Sequence, residues 1–196
     1  MKKIILILTI FFCYSLIFSQ EKKEKNKIIQ LDNTWGKEIF PFPISFAKNI
    51  DYKGIAEVRF PPKGWIKPEH DFFWTYTYAW SINLSKKITE KELESNLKKY
   101  FNGLNSVKND EGHKQTLAKI ICIKKKKSVV FFEGKVNIFD RFATNKRIVL
   151  NTKIEYHYCK KTKNTILFFK FSPKDYTHIV WQTLNTIELE KGVCNN

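Results

Sequence analysis

Arginine is scarce in this chain: of 35 lysines and arginines, only Arg59, Arg141 and Arg147 carry a guanidinium. Recognition of phosphates and base edges exploits that planar fork, so a basic excess carried by lysine argues against nucleic acid as the partner. Metal-binding spacings are also missing. His70, His113, His157 and His178 stand apart from one another, with neither His-x-x-x-His nor Cys-x-x-Cys, so no metal and no cofactor is implied. Glycine-rich phosphate loops, internal repeats and a serine or cysteine in a recognisable nucleophile motif are absent as well.

Long apolar runs are lacking too. The one at residues 4–18 falls short of the ~20 residues a membrane-spanning helix needs. Lys2 and Lys3 precede it, and Ser19 stands between it and the polar residues 20–27, which is the layout of a secretory signal peptide cleaved after Ser19. A retained anchor is the competing reading. A lipidated Cys13 is disfavoured by Phe11 and Phe12, where lipid-modifying processing requires small side chains. The expected product is secreted or periplasmic, with no membrane span after cleavage. Residues 20–30 then form a flexible charged leader, and 31–196 one α+β domain.

What is present is positive charge and aromatic carbon. The formal net charge is +16, which favours anionic partners. Over residues 72–84, Trp74, Tyr76, Tyr78, Trp80, Ile82 and Leu84 alternate with smaller residues, as in a long half-buried strand. Such a row is either core or a sugar-stacking platform; Ile82 and Leu84 continuing the same face favour core. Thr89 and Glu92 make a capping box, Ile88 and Leu93 a hydrophobic staple, and Gly103 a left-handed stop, predicting a helix over 89–102.

Residues 55–60 alternate as a strand closed by Pro61-Pro62-Lys63-Gly64, and should pair antiparallel with the aromatic strand. The prolines of Phe40-Pro41-Phe42-Pro43 keep that segment extended along the surface, and 44–50 has room for one helical turn. Apolar-rich runs at 117–123, 129–139, 147–159 and 165–171, separated by short polar breaks, predict an antiparallel meander. Ser172, Pro173 and Asp175 signal a second helix over 173–190, with Tyr176, Val180, Leu184 and Ile187 inward and Trp181 at the margin. The result is a twisted antiparallel sheet of about five to six strands with two main helices. With the Gly64-Trp65 turn placed before strand, helix, meander and closing helix, the element order over 55–190 resembles PsbP and Mog1-type domains. That resemblance implies the fold and nothing chemical.

Signal-peptide cleavage would leave Cys122, Cys159 and Cys194, an odd number for an oxidising compartment. Cys159 and Cys194 are the preferred disulfide, because the closing helix returns the tail to the sheet end that holds Cys159; three free thiols is the alternative. That end also collects Lys124, Lys125, Lys126, Lys127, Lys160, Lys161 and Lys163. They read as a surface for an anionic envelope component or a protein partner, or simply as soluble turns. Asp140 and Arg141 read as a turn with a local charge pair. The expected function is an exported, non-enzymatic binding or envelope-associated protein. The alternative is a small hydrolase or isomerase using the His70 and Asp71 loop, and a purely structural envelope component is a third reading.

Overall fold

A computed structural model describes residues 27–84, 87–108 and 111–195. The signal-peptide and cleavage expectations, and residues 20–26 of the expected leader, lie outside those residues; its last residues belong to the fold, with Ile28 and Ile29 buried and Ile29–Gln30 paired with Glu188–Leu189. The protein is α+β. Seven antiparallel strands form one sheet in the order β2-β3-β4-β8-β7-β6-β5, and β1 with β9 forms a two-stranded sheet. The strands are β1 (Ile29–Gln30), β2 (Gly36–Pro41), β3 (Gly54–Phe60), β4 (Tyr76–Asn83), β5 (Leu117–Lys126), β6 (Val129–Asp140), β7 (Lys146–Cys159), β8 (Asn164–Ser172) and β9 (Glu188–Leu189). The helices are α1 (Glu90–Leu104) and α2 (Ile179–Thr186). Among the described residues no helix is long and apolar enough to cross a membrane.

The capping box starts α1: Thr89 Oγ1 accepts from Glu92 N at 3.2 Å, and Glu92 Oε2 accepts from Thr89 N at 2.9 Å. Leu93, Leu97, Tyr100 and Phe101 bury the inner stripe of α1 against the front of the sheet, beside Trp74, Tyr76, Tyr78 and Trp80. The aromatic row is therefore core and offers no open stacking platform. Glu94 Oε1 accepts from Ile120 N at 2.9 Å, so the helix satisfies one donor on edge strand β5. Gly103 lies inside the helix and is not a left-handed stop. A Cβ there would sit 2.0 Å from the Phe46 carbonyl oxygen, so glycine is needed for close approach.

Strand β4 is buried on both faces. Thr75, Thr77 and Ala79 point to the back, where Ile28, Ile29, Phe168, Val180, Trp181, Leu184 and Ile187 form a second core. The strand begins only at Tyr76, because Trp74 adopts φ of 47° and ends the preceding turn. Two buried charges hold the N-terminal segment to this back face. Glu57 Oε2 accepts from Ile28 N at 2.5 Å and Ile29 N at 3.2 Å, while Arg59 donates to Leu31 O at 3.1 Å and Asp32 O at 2.6 Å. Arg59 and Glu57 are 3.8 Å apart. Burial pushes the Glu57 carboxyl up, against the amides of Ile28 and Ile29 and the Arg59 charge.

Further expectations change. Segment 36–41 is a paired edge strand, and Pro41 sits at its end, where its missing N–H costs no ladder bond. The second helix starts at Ile179, not 173, with His178 as N-cap. Ser172 stays in β8, bonded to the Thr75 hydroxyl at 2.8 Å and accepting from Lys174 N at 3.2 Å, so its side chain closes a turn. Trp181 is central and not marginal: its Nε1 donates to Lys174 O at 2.9 Å and its ring is only 1% exposed.

Candidate functional site

The meander brings the basic residues to one end of the sheet. The β5–β6 connection is Lys127-Ser128, with Lys127 at φ 49°, and the β7–β8 connection is residues 160–163, with Lys163 at φ 55°. Strands β6 and β7 are neighbours, so the two turns lie side by side, and Tyr158 N donates to Ser128 O at 3.4 Å. All seven lysines occupy this end, but the pleat divides them. A bulge at Ile123 resets the register, placing Lys124 opposite Phe131 and Lys126 opposite Val129 on the back, with Lys125 opposite Val130 on the front.

On the front, a cavity of about 320 Å³ is lined by Lys87, Lys127, Ser128, Val130, Tyr156, Tyr158 and Lys160. Lys87 comes from the lead-in to α1, the lysines of the two turns close the other sides, and β7 supplies the tyrosines. Tyr156 is 4% exposed, and burial raises its phenol pKa. Tyr158, two residues on, is 39% exposed and offers its ring to solvent. No acidic side chain lines the cavity, and Lys87, Lys127 and Lys160 form no ion pair among the described residues. Three ammonium groups around a tyrosine floor can hold an anion and pack against the apolar face of its carrier.

Lys87, Tyr156 and Tyr158 escaped sequence reasoning. The available signal was the alternation of Ile154, Tyr156 and Tyr158, which places two phenols on one face just before Lys160.

A second cavity, about 270 Å³, opens on the back among Glu133, Lys153, Glu155 and Lys170. Lys170 is 6% exposed and lies 5.0 Å from the Phe168 ring; desolvation lowers its pKa. Glu155 bonds His157 at 2.9 Å, and its carboxyl is held low despite burial by that bond and by Lys170. Positive and negative groups balance here, so the cavity has no net appetite for an anion.

His70 is engaged locally, whereas Asp71 is held by residues from the segment after β8. His70 Nδ1 accepts from Phe72 N at 3.1 Å, and the ring fills the space a Gly64 Cβ would need, with Gly64 at φ 84°. Asp71 receives Lys174 Nζ at 2.9 Å and faces His178 Nε2 at 3.6 Å. The Lys174 hydrogen bond and charge hold its carboxyl below the usual range. Neither residue lines the two cavities above.

The arginines are all used by the fold. Arg59 holds the N-terminal segment, Arg141 pairs with Glu111 at 2.7 Å, and Arg147 donates to His113 O at 2.5 Å and Gln115 O at 3.0 Å. The Asp140 and Arg141 pair does not form. Asp140 is fully buried and accepts from Phe142 N, Ala143 N and Thr144 N and Oγ1 at 2.7–3.2 Å. Burial opposes its ionisation, but these bonds outweigh burial and lower its pKa. Cys159 and Cys194 are joined, with Cα atoms 4.9 Å apart, and Cys122 is free. Among the described residues no group of three or more His, Cys, Asp or Glu side chains is arranged to hold a metal. Comparison with known proteins returns no matching family model, no matching curated protein and no matching solved structure.

Proposed function

We propose that this is an exported, non-enzymatic binding protein whose basic end engages an anionic polysaccharide of the cell envelope. The observation that carries the reading is the acid-free cavity in which Lys87, Lys127 and Lys160 surround Tyr156 and Tyr158. A carboxylated or phosphorylated sugar presents both an anion for the lysines and a C–H face for a tyrosine ring. Lysine, a mobile point charge, suits an irregular polymer, and the three guanidiniums are occupied elsewhere. The Cys159–Cys194 bond supports residence in an oxidising compartment. His70, held within its own loop, and Asp71, tied to Lys174 across the chain, give the hydrolase reading no support.

Titration calorimetry with an oligogalacturonate and its neutral methyl ester, at about 0.15 M salt, tests the reading. The acid form should bind and the ester should not. Lys127→Gln with Lys160→Gln should weaken binding about tenfold, whereas Lys124→Gln with Lys126→Gln, on the back, should change it little. Equal losses from both pairs, or equal binding of the ester, would contradict it.

A further inference from the structure

At the end of the sheet opposite the lysines, where β3 finishes, β4 begins and α1 stops, lies a cavity of about 150 Å³ walled almost wholly by aromatic rings. Five of its rings and one acid carry the argument: Phe60, Trp65, Trp74, Tyr76, Tyr100 and Glu38. Phe60 and Trp65 stack at 4.8 Å, and Trp65 meets Trp74 edge to face at 6.0 Å and 83°. Phe60 and Tyr76 lie 5.9 Å apart, so rings of different orientation surround one space.

Trp74, Tyr76 and Tyr100 are rigid members. They are 0%, 2% and 4% exposed and belong to the front core, which fixes the back of the cavity. Trp65 is half-buried and stands on the loop after β3, where Phe142 flanks it at 5.9 Å. Glu38 is exposed on edge strand β2 and is the only charged group on the wall. Two buried polar atoms on the wall lack partners among the described residues. The Trp74 indole N–H has no hydrogen-bond partner, and the Tyr76 hydroxyl neighbours that of Tyr100 without a well-formed bond to it.

The chemistry narrows the occupant. A cavity of this volume holds a group the size of a benzene ring, not an oligomer. A sugar would bring several hydroxyls into a wall with few partners, at the cost of desolvating each. Aromatic faces carry negative quadrupole potential, and a cation enclosed by several of them gains at each face. Among the described residues no protein cation lies over any ring of this cavity; the lysines and arginine that do sit over rings use Phe139, Phe168, Tyr176 and Trp181. A carboxylate at the mouth of a chain that is otherwise strongly basic adds the complementary charge.

We infer that this aromatic cavity is a second binding site, selective for a small alkylated ammonium group, with Trp65, Trp74, Tyr76 and Phe60 forming the cage and Glu38 the countercharge. The basic end plays no part in it, so the two sites are separable by mutation.

The test uses choline and 3,3-dimethylbutan-1-ol, its uncharged carbon isostere, titrated into the ¹⁵N-labelled protein while the indole N–H signals are followed. Choline should move the Trp65 and Trp74 signals and saturate, and the isostere should bind about tenfold or more weakly. Glu38→Gln, a surface change that leaves the core intact, should weaken choline several-fold, and Trp65→Leu should weaken it further. Lys127→Gln with Lys160→Gln should leave choline binding unchanged. Equal affinity for the isostere would overturn the cation assignment. Unmoved indole signals, or an unaltered affinity in both Glu38→Gln and Trp65→Leu, would overturn the site itself.

Discussion

Cutting the Cys159–Cys194 bond should loosen the entire back layer, because it joins the end of β7 to the tail beyond β9. Cys194→Ser is the appropriate change: Cys194 is only partly buried, whereas Cys159 is 2% exposed and its replacement would also disturb packing. The bond closes a loop of 35 residues. Chain-entropy bookkeeping for a loop of that length gives a stabilisation of about 3–4 kcal/mol, or roughly 10 °C in Tm for a domain of this size. Chemical denaturation of the oxidised protein and of Cys194→Ser measures it. Thiol titration of residues 20–196, unfolded and unreduced, should find Cys122 alone. Three titratable thiols, or a stability loss below about 1 kcal/mol, would refute the reasoning.

Other perturbations probe the remaining joints. Arg59→Met strands the buried Glu57 carboxylate and should cost about 3–5 kcal/mol, with limited proteolysis detecting release of the 28–32 segment; an unchanged digestion pattern would count against the clamp. Gly103→Ala should destabilise by about 1–3 kcal/mol in urea denaturation although alanine favours helix, because its Cβ would meet the Phe46 carbonyl oxygen; a gain in stability would show that the turn yields. Asp140→Asn should cost about 1–3 kcal/mol near neutral pH. The Asp140 pKa is lower in the folded than in the unfolded protein, so its contribution is complete above the unfolded value of 3.8 and is lost as pH falls through the lower folded value. The stability gap between wild type and Asp140→Asn should accordingly shrink only below about pH 4, and a gap that does not narrow there would contradict the assignment.

Local chemistry was legible in the sequence wherever neighbours along the chain decide the structure. Thr89 and Glu92 start α1 because both partners of the capping box lie within one turn. The meander followed from alternation and short breaks, since antiparallel neighbours need no crossover. Misreadings arose where a distant partner took over a local signal. Ser172 looked like an N-cap, but Thr75 and the β8 ladder hold it, and the helix waits for His178. Strand β2 was hidden by Pro41, which an edge strand tolerates at its end. For the candidate site, the two lysine turns were visible as neighbours, but the bulge at Ile123 that separates Lys124 and Lys126 from the cavity was not. Nor was the arrival of Lys87, which depends on where α1 crosses the sheet.

The most direct test of the central claim is chemical-shift mapping of residues 20–196 with oligogalacturonate at near-physiological salt. Saturable shifts should centre on Lys87, Lys127, Ser128, Val130, Tyr156, Tyr158 and Lys160, sparing Lys124 and Lys126. Shifts spread evenly over both faces of the lysine end, or none at Tyr158, would contradict a built anion site there.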